Sequence, residues 1–200
     1  MKIIRNLCSC LMVLLVLTCG CTVPVATPPS LSPPAATASI PAQVSSVSDN
    51  FTLTVDSVAP GSVLPQEFTC TGSSRTPGIT WENVPAGTQS FVLILDDPDA
   101  PAGTFTHWIV YNIPPNTRSI DPAQPDGKVL SGGAQIGLNS AGSRGYYPPC
   151  PPPGKSHRYI FRLYAVDMVI TQPTADRASI DWALTGHTLG EAQVVTTFKR

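Results

Sequence analysis

Hydrophobic residues fall along this chain in three regimes. An eleven-residue apolar run covers residues 7–17 (LCSCLMVLLVL), behind Lys2 and Arg5. Residues 22–49 scatter small apolar and polar residues with no period. From Phe51 onward, short apolar runs alternate with turn residues. Phe51-Thr52-Leu53-Thr54-Val55 has the period of two expected of a half-buried strand. Residues 90–95, 107–111 and 159–166 are denser, rich in β-branched and aromatic residues and bounded by Pro, Asp and Gly. Such runs predict strands covered on both faces. Residues 194–198 predict a short last strand. Helical spacing comes only late. Thr174 and Asp176 offer N-cap oxygens to a helix over 175–184, ended by Gly186, and 187–193 predicts a second short helix. Strands first and helices last predict a mainly β domain over 50–200, an antiparallel β-sandwich with short peripheral C-terminal helices.

The first run is too short to cross the roughly 30 Å hydrocarbon core of a bilayer and has the length of a signal-peptide core. Behind it, Thr18-Cys19-Gly20-Cys21 resembles the lipobox of a bacterial lipoprotein, in which Cys21 becomes the acylated N-terminus. Thr18 stands where Leu is usual, and Cys19 is the weaker acceptor because Thr precedes it. An uncleaved anchor, or cleavage nearby without lipid, are the competing readings. Residues 22–49 hold six Pro and no aromatic residue, and no charge occurs from Asn6 through Ser48. Such a segment cannot bury enough apolar surface to offset its ordering entropy, so it predicts an extended, disordered tether. Together these features predict an exported protein of the bacterial cell envelope, lipid-anchored to a membrane.

Composition narrows the function. With 12% charged residues, 22 Pro and a net charge of −1 in 200 residues, the chain is neither a basic nucleic-acid binder nor a coiled coil. Of six cysteines, Cys8, Cys10 and Cys19 leave with the leader and Cys21 is taken by lipid. Cys70 and Cys150 remain. In an oxidising compartment they either form a disulfide or stay buried as free thiols; spacing alone does not decide.

Two stretches are unlike scaffold. Residues 114–145 form a long connection rich in Gly, Pro, Asn and Ser, and loops of that length are functional or disordered. It runs into Tyr146-Tyr147-Pro148-Pro149-Cys150-Pro151-Pro152-Pro153-Gly154, which predicts a stiff loop fit to wall a pocket. Polar residues gather at strand ends: Asp96, Asp97 and Asp99 after one strand, His107 and His157 at the starts of two others. If those strands are neighbours, carboxylates and imidazoles meet beside the proline loop. Taken singly, an Asp-Pro pair starts a turn and a His beside Trp108 is a structural residue. No Gly-x-Ser-x-Gly or His-Glu-x-x-His occurs, and the chain calls for no cofactor.

These residues carry a resemblance. The segments Phe68-Thr69-Cys70-Thr71-Gly72, Ile79-Thr80-Trp81-Glu82-Asn83-Val84-Pro85 and Asp97-Pro98-Asp99-Ala100-Pro101 occur in that order. His107-Trp108, Gly137-Leu138-Asn139-Ser140, residues 146–152 and Gly154-Lys155-Ser156-His157-Arg158-Tyr159 follow, then Gly186-His187-Thr188-Leu189-Gly190-Glu191-Ala192. The chain resembles the phosphatidylethanolamine-binding protein family, in its bacterial Raf-kinase-inhibitor-like branch, over nearly all of residues 50–200. The resemblance implies a β-sandwich with a small anion pocket at one end. By matching positions, Asp97, Asp99, His107, Tyr146, Pro149, Cys150, Pro151, His157 and Tyr159 would form it. Pro148 departs from the family's usual Gly and removes a backbone donor.

Two carboxylates repel an anion, so Asp97 and Asp99 are expected to accept hydrogen bonds from His107 and His157, orienting the rings and favouring imidazolium. A charged imidazole, a tyrosine hydroxyl and the Cys150 N–H, the sole main-chain donor of residues 148–153, would then hold the oxyanion. The expected function is binding of a small anion or phosphate-bearing headgroup without turnover. Inhibition of a protease or other hydrolase, or kinase-inhibitor-like regulation of an unidentified protein target, is the alternative. A hydrolase using the Asp/His cluster ranks below both.

Overall fold

The computed structural model describes residues 50–124, 129–130 and 132–200. The leader with Cys21 and the tether over 22–49 lie outside the described residues. Among the described residues, eight strands form two antiparallel sheets. Strands β1 (Thr52–Val55), β2 (Ile79–Glu82) and β5 (Ser119–Ile120) make the smaller, in the order β1-β2-β5. The larger contains β3 (Ser90–Asp97), β4 (Phe105–Ile113), β6 (Gln135–Ile136), β7 (Ser156–Val166) and β8 (Thr188–Lys199). Its order is β6-β4-β3-β7-β8.

β3 lies at the centre, and all of it is buried. The period of two divides its side chains between two cores. Phe91, Leu93 and Leu95 pack between the sheets with Trp81, Trp108 and Phe161. Val92 and Ile94 face the other way, with Ile109 and Tyr111, under Ile180 and Ala183 of α1 (Arg177–Leu184). The dense apolar runs are thus strands covered on both faces. Each such side chain contributes about 1.5–3 kcal/mol on burial.

The α-helix starts two residues later than the sequence pattern predicts. Asp176 caps it, its Oδ1 accepting from the Ser179 N–H at 2.9 Å. Arg177 then reaches back to Asp96, a buried carboxylate that also accepts from Thr106 Oγ1 at 2.7 Å and from Arg162. This network fastens the helix to β3.

The second helix expected over 187–193 is absent from the described residues. All of that segment but His187 belongs to β8, which pairs with β7 along its length. Leu189 and Ala192 have helical spacing, but burial alternates: Gly190, Ala192, Val194, Thr196 and Phe198 are buried with more exposed residues between. Tertiary pairing with β7 outweighs a weak local preference that Gly190 already undermines. The connection over 114–145 also holds more structure than its composition predicts, in β5 and β6.

At one end of the large sheet, β3 terminates where its neighbours β4 and β7 begin. Asp97 pairs in register with Phe105, and Asp96 with Ile160. The proline segment closes this end. Cys70 and Cys150 form a disulfide with Cα atoms 5.4 Å apart, which settles the alternative left open by their spacing. The Cys70 N–H donates to the Pro149 carbonyl at 3.1 Å, and the Tyr146 hydroxyl donates to the Phe68 carbonyl at 2.6 Å. Residues 68–72 are themselves folded tightly. A Cβ on Gly72 would lie 2.1 Å from the Gln66 carbonyl oxygen, so only glycine fits.

Candidate functional site

A cavity of about 350 Å³ opens at this end of the sheet. Of the residues singled out in the sequence, Asp97, His107, Cys150, Pro151 and His157 line it, together with Ala100, Pro101, Phe105, Tyr147 and Pro152. Each polar group arrives by a simple route: Asp97 ends β3, His107 is the third residue of β4, and His157 the second of β7.

The two imidazoles are held differently. His157 Nδ1 donates to Asp97 Oδ2 at 2.7 Å, with both side chains about 5% exposed or less. His107 Nδ1 lies 2.7 Å from the carbonyl oxygen of Tyr147. A carbonyl only accepts, so Nδ1 carries the proton and the neutral ring presents Nε2 as a lone pair. Burial, partly offset by the Tyr147 hydrogen bond and the nearby carboxylates of Asp97 and Asp96, holds His107 below the ordinary histidine value of 6.5. The expectation that acidic neighbours grip both rings therefore needs correcting for His107, whose partner is a main-chain carbonyl.

Asp99 turns away from the imidazoles. Period-two alternation along β7 sends His157 inward and Arg158 outward, and Asp99 pairs with Arg158. Its carboxylate accepts from the Arg158 main chain at 2.8 Å and from the guanidinium at 2.7 and 2.9 Å. These bonds lower the Asp99 pKa to about 2.

Tyr146, Pro149 and Tyr159 do not line the cavity either. Tyr146 stands edge-on to Trp108, with ring centroids 5.7 Å apart and its hydroxyl on Phe68. Its neighbour Tyr147 takes the place at the cavity wall and is 42% exposed. Pro149 is buried, its carbonyl engaged by Cys70. Tyr159 lies one layer deeper, its ring 5.4 Å from that of His107. Burial and the Asp97 carboxylate push its phenol well above the ordinary value of 10.0.

Several polar atoms here lack partners. His107 Nε2 and the Tyr159 hydroxyl are buried with no hydrogen bond. The Cys150 N–H has no partner among the described residues. Buried polar groups in folded proteins are nearly always satisfied, and leaving one bare costs about 1–3 kcal/mol.

A sequence model of the phosphatidylethanolamine-binding protein family matches residues 54–199. The chain belongs to that family. Among its relatives is a UPF0098 protein of Methanothermobacter thermautotrophicus, 42% identical over 68% of this chain and 91% of that one. The Mycobacterium tuberculosis protein named "Putative lipoprotein LppC" is 37% identical over 70% of this chain and 68% of its own length. A crystal structure of a phosphatidylethanolamine-binding protein homologue from Chlamydia trachomatis superposes with a TM-score of 0.69 at 33% identity. It covers 76% of this chain and 99% of the other. The family's mainly β fold is the fold seen here.

Sequence reasoning missed Phe105 and Tyr147 as cavity residues. Phe105 begins a strand that the apolar pattern starts at His107, and Tyr147 shares its local pattern with Tyr146. Only the direction of each side chain separates the two tyrosines. Among the described residues, no group of three or more His, Cys, Asp or Glu is placed to hold a metal, and no helix is long and apolar enough to cross a membrane.

Proposed function

We propose that this protein is an exported, lipid-anchored binding protein whose cavity takes a phosphate-bearing headgroup or small oxyanion without turnover. One observation carries the reading: His107, whose buried Nε2 has no hydrogen-bond partner, lines a cavity that Asp97 and His157 complete. The Cys150 N–H supplies a donor directly. His107 supplies one when protonated, and His157 presents its second ring nitrogen while Asp97 holds the first. A bound oxyanion would engage these three groups together. The rest of the cavity, walled by Ala100, Pro101, Phe105, Tyr147 and prolines, suits an apolar substituent beside the anionic group.

Binding is favoured over catalysis because the cysteine in the wall has no free thiol. Cys150 is bridged to Cys70. For the anchor, the support is the lipobox-like Cys21 and the name of the mycobacterial relative.

Calorimetric titration of the full-length protein with a phosphomonoester at pH 5.5 and 8.5 tests the cavity. Binding should be tighter at the lower pH, and His157→Gln should weaken it at least tenfold; equal affinity at both values removes the histidines from the account. Mass spectrometry of the membrane fraction tests the anchor: Cys21 should carry acyl chains, and Cys21→Ser should release the protein from the membrane.

A further inference from the structure

The proposed oxyanion cavity has no Lys or Arg among its lining residues, and Asp97 brings it a carboxylate. Its own charge is therefore poorly matched to a dianion. Three cationic residues sit on the segments that adjoin its wall. Lys155 closes the turn after the prolines, its N–H donating to the Pro152 carbonyl at 3.2 Å. The Arg200 carbonyl accepts from Gly154 at 3.0 Å, and its Nη1 lies 3.4 Å from Cys150 Sγ. Lys199 pairs in register with Ser156, next to His157.

All three are exposed, and among the described residues none forms an ion pair with a carboxylate. Arg75, Arg158, Arg162 and Arg177, by contrast, each have one. In a chain of net charge −1, three exposed cationic residues on adjoining segments are a local concentration of positive charge. The guanidinium of Arg200, 3.4 Å from Cys150 Sγ, lies well within a Debye length, about 8 Å at physiological salt, of the wall. Lys199 and Arg200 also line an open cleft of about 530 Å³ with Gln66 and Thr71, the latter adjoining Cys70 of the disulfide.

We infer that Lys155, Lys199 and Arg200 form an outer anion subsite across the disulfide wall, so that the cavity's ligand class is a phosphomonoester bearing a second anionic group. This rests on the oxyanion cavity proposed above. The phosphate occupies that cavity, and the second group lies on the cations at its rim. The wall between them, pinned by the disulfide and by the Cys70–Pro149 hydrogen bond, holds the two subsites at a set separation.

Two probes sharing a six-carbon chain test this in the full-length protein. 6-Phosphogluconate carries a terminal carboxylate where sorbitol 6-phosphate has a hydroxymethyl group. At low salt, calorimetry should show 6-phosphogluconate binding about tenfold more tightly, a preference that shrinks as salt rises. The Lys155→Ala/Lys199→Ala/Arg200→Ala variant should erase the preference while leaving sorbitol 6-phosphate within about twofold. Its side chains are exposed, and an unchanged unfolding midpoint checks that it folds. His157→Gln should weaken both probes. Equal affinities in the unmodified protein, or equal losses in the triple variant, overturn the outer subsite and leave the cavity standing. Binding of neither probe overturns both.

Discussion

Asp97 and His157 meet across neighbouring strands, carboxylate oxygen to ring nitrogen at 2.7 Å, where β3 ends and β7 begins. This contact couples the fold to the cavity, because both side chains line the cavity and neither is exposed to bulk water. A double-mutant cycle of Asp97→Ala and His157→Ala, followed by urea unfolding, should give a coupling of about 1–3 kcal/mol. Additive losses would mean that the two groups merely adjoin.

Acid should act on the protein through two groups of opposite chemistry. His107 is held below 6.5 in the fold, so as pH falls from 6.5 the unfolded chain takes up a proton that the folded chain resists, and stability declines. His107→Gln should flatten that part of the stability profile. Asp99 is lowered from 3.8 to about 2 by Arg158, so its contribution is complete above 3.8 and is lost as pH falls toward 2. Arg158→Ala should remove this second decline. Phosphate works against the first: a bound oxyanion favours the charged ring, so NMR titration of His107 should show its midpoint rising when phosphate is added.

The disulfide should matter both to stability and to cavity shape. It closes a loop between residues 80 apart, and its removal should cost about 2–5 kcal/mol by chemical denaturation. The Cys70→Ser/Cys150→Ser variant, measured where it remains folded, should also bind a phosphomonoester more weakly, because the Cys150 N–H is then held by fewer links. Unchanged affinity would show that the remaining hydrogen bonds fix the wall unaided.

The adjacent tyrosines should separate in function. Tyr146→Phe removes the hydrogen bond to Phe68 and should lower stability by about 1–2 kcal/mol with little effect on affinity. Tyr147→Ala should do the reverse, since its ring lines the cavity and is 42% exposed. Parallel thermal unfolding and calorimetry of the two variants check the assignment.

What could be read from the residues follows what each signal measures. Period two and apolar density mark β3, β4 and β7 because burial on both faces leaves no polar position to break the run. β2 was invisible, since Ile79-Thr80-Trp81-Glu82 is too short to establish a period. The start of β8 was misread because Leu189 and Ala192 satisfy helical spacing equally well, and only pairing with β7 decides. At the cavity, chain position brings Asp97, His107 and His157 together once their strands are neighbours. The partner of His107 depends on the path of the proline segment, and the direction of Asp99 on where Arg158 falls in the alternation of β7. Neither is a local property of the sequence.

The proline wall has one more consequence, for how the molecule meets its neighbours. Residues 148–153 carry a single main-chain N–H, that of Cys150. A foreign strand approaching this segment would find no ladder of donors to join, so the proline side of the mouth does not favour strand addition or edge-to-edge association. Along this side of the opening an extended peptide would gain at most one main-chain hydrogen bond from a protein donor.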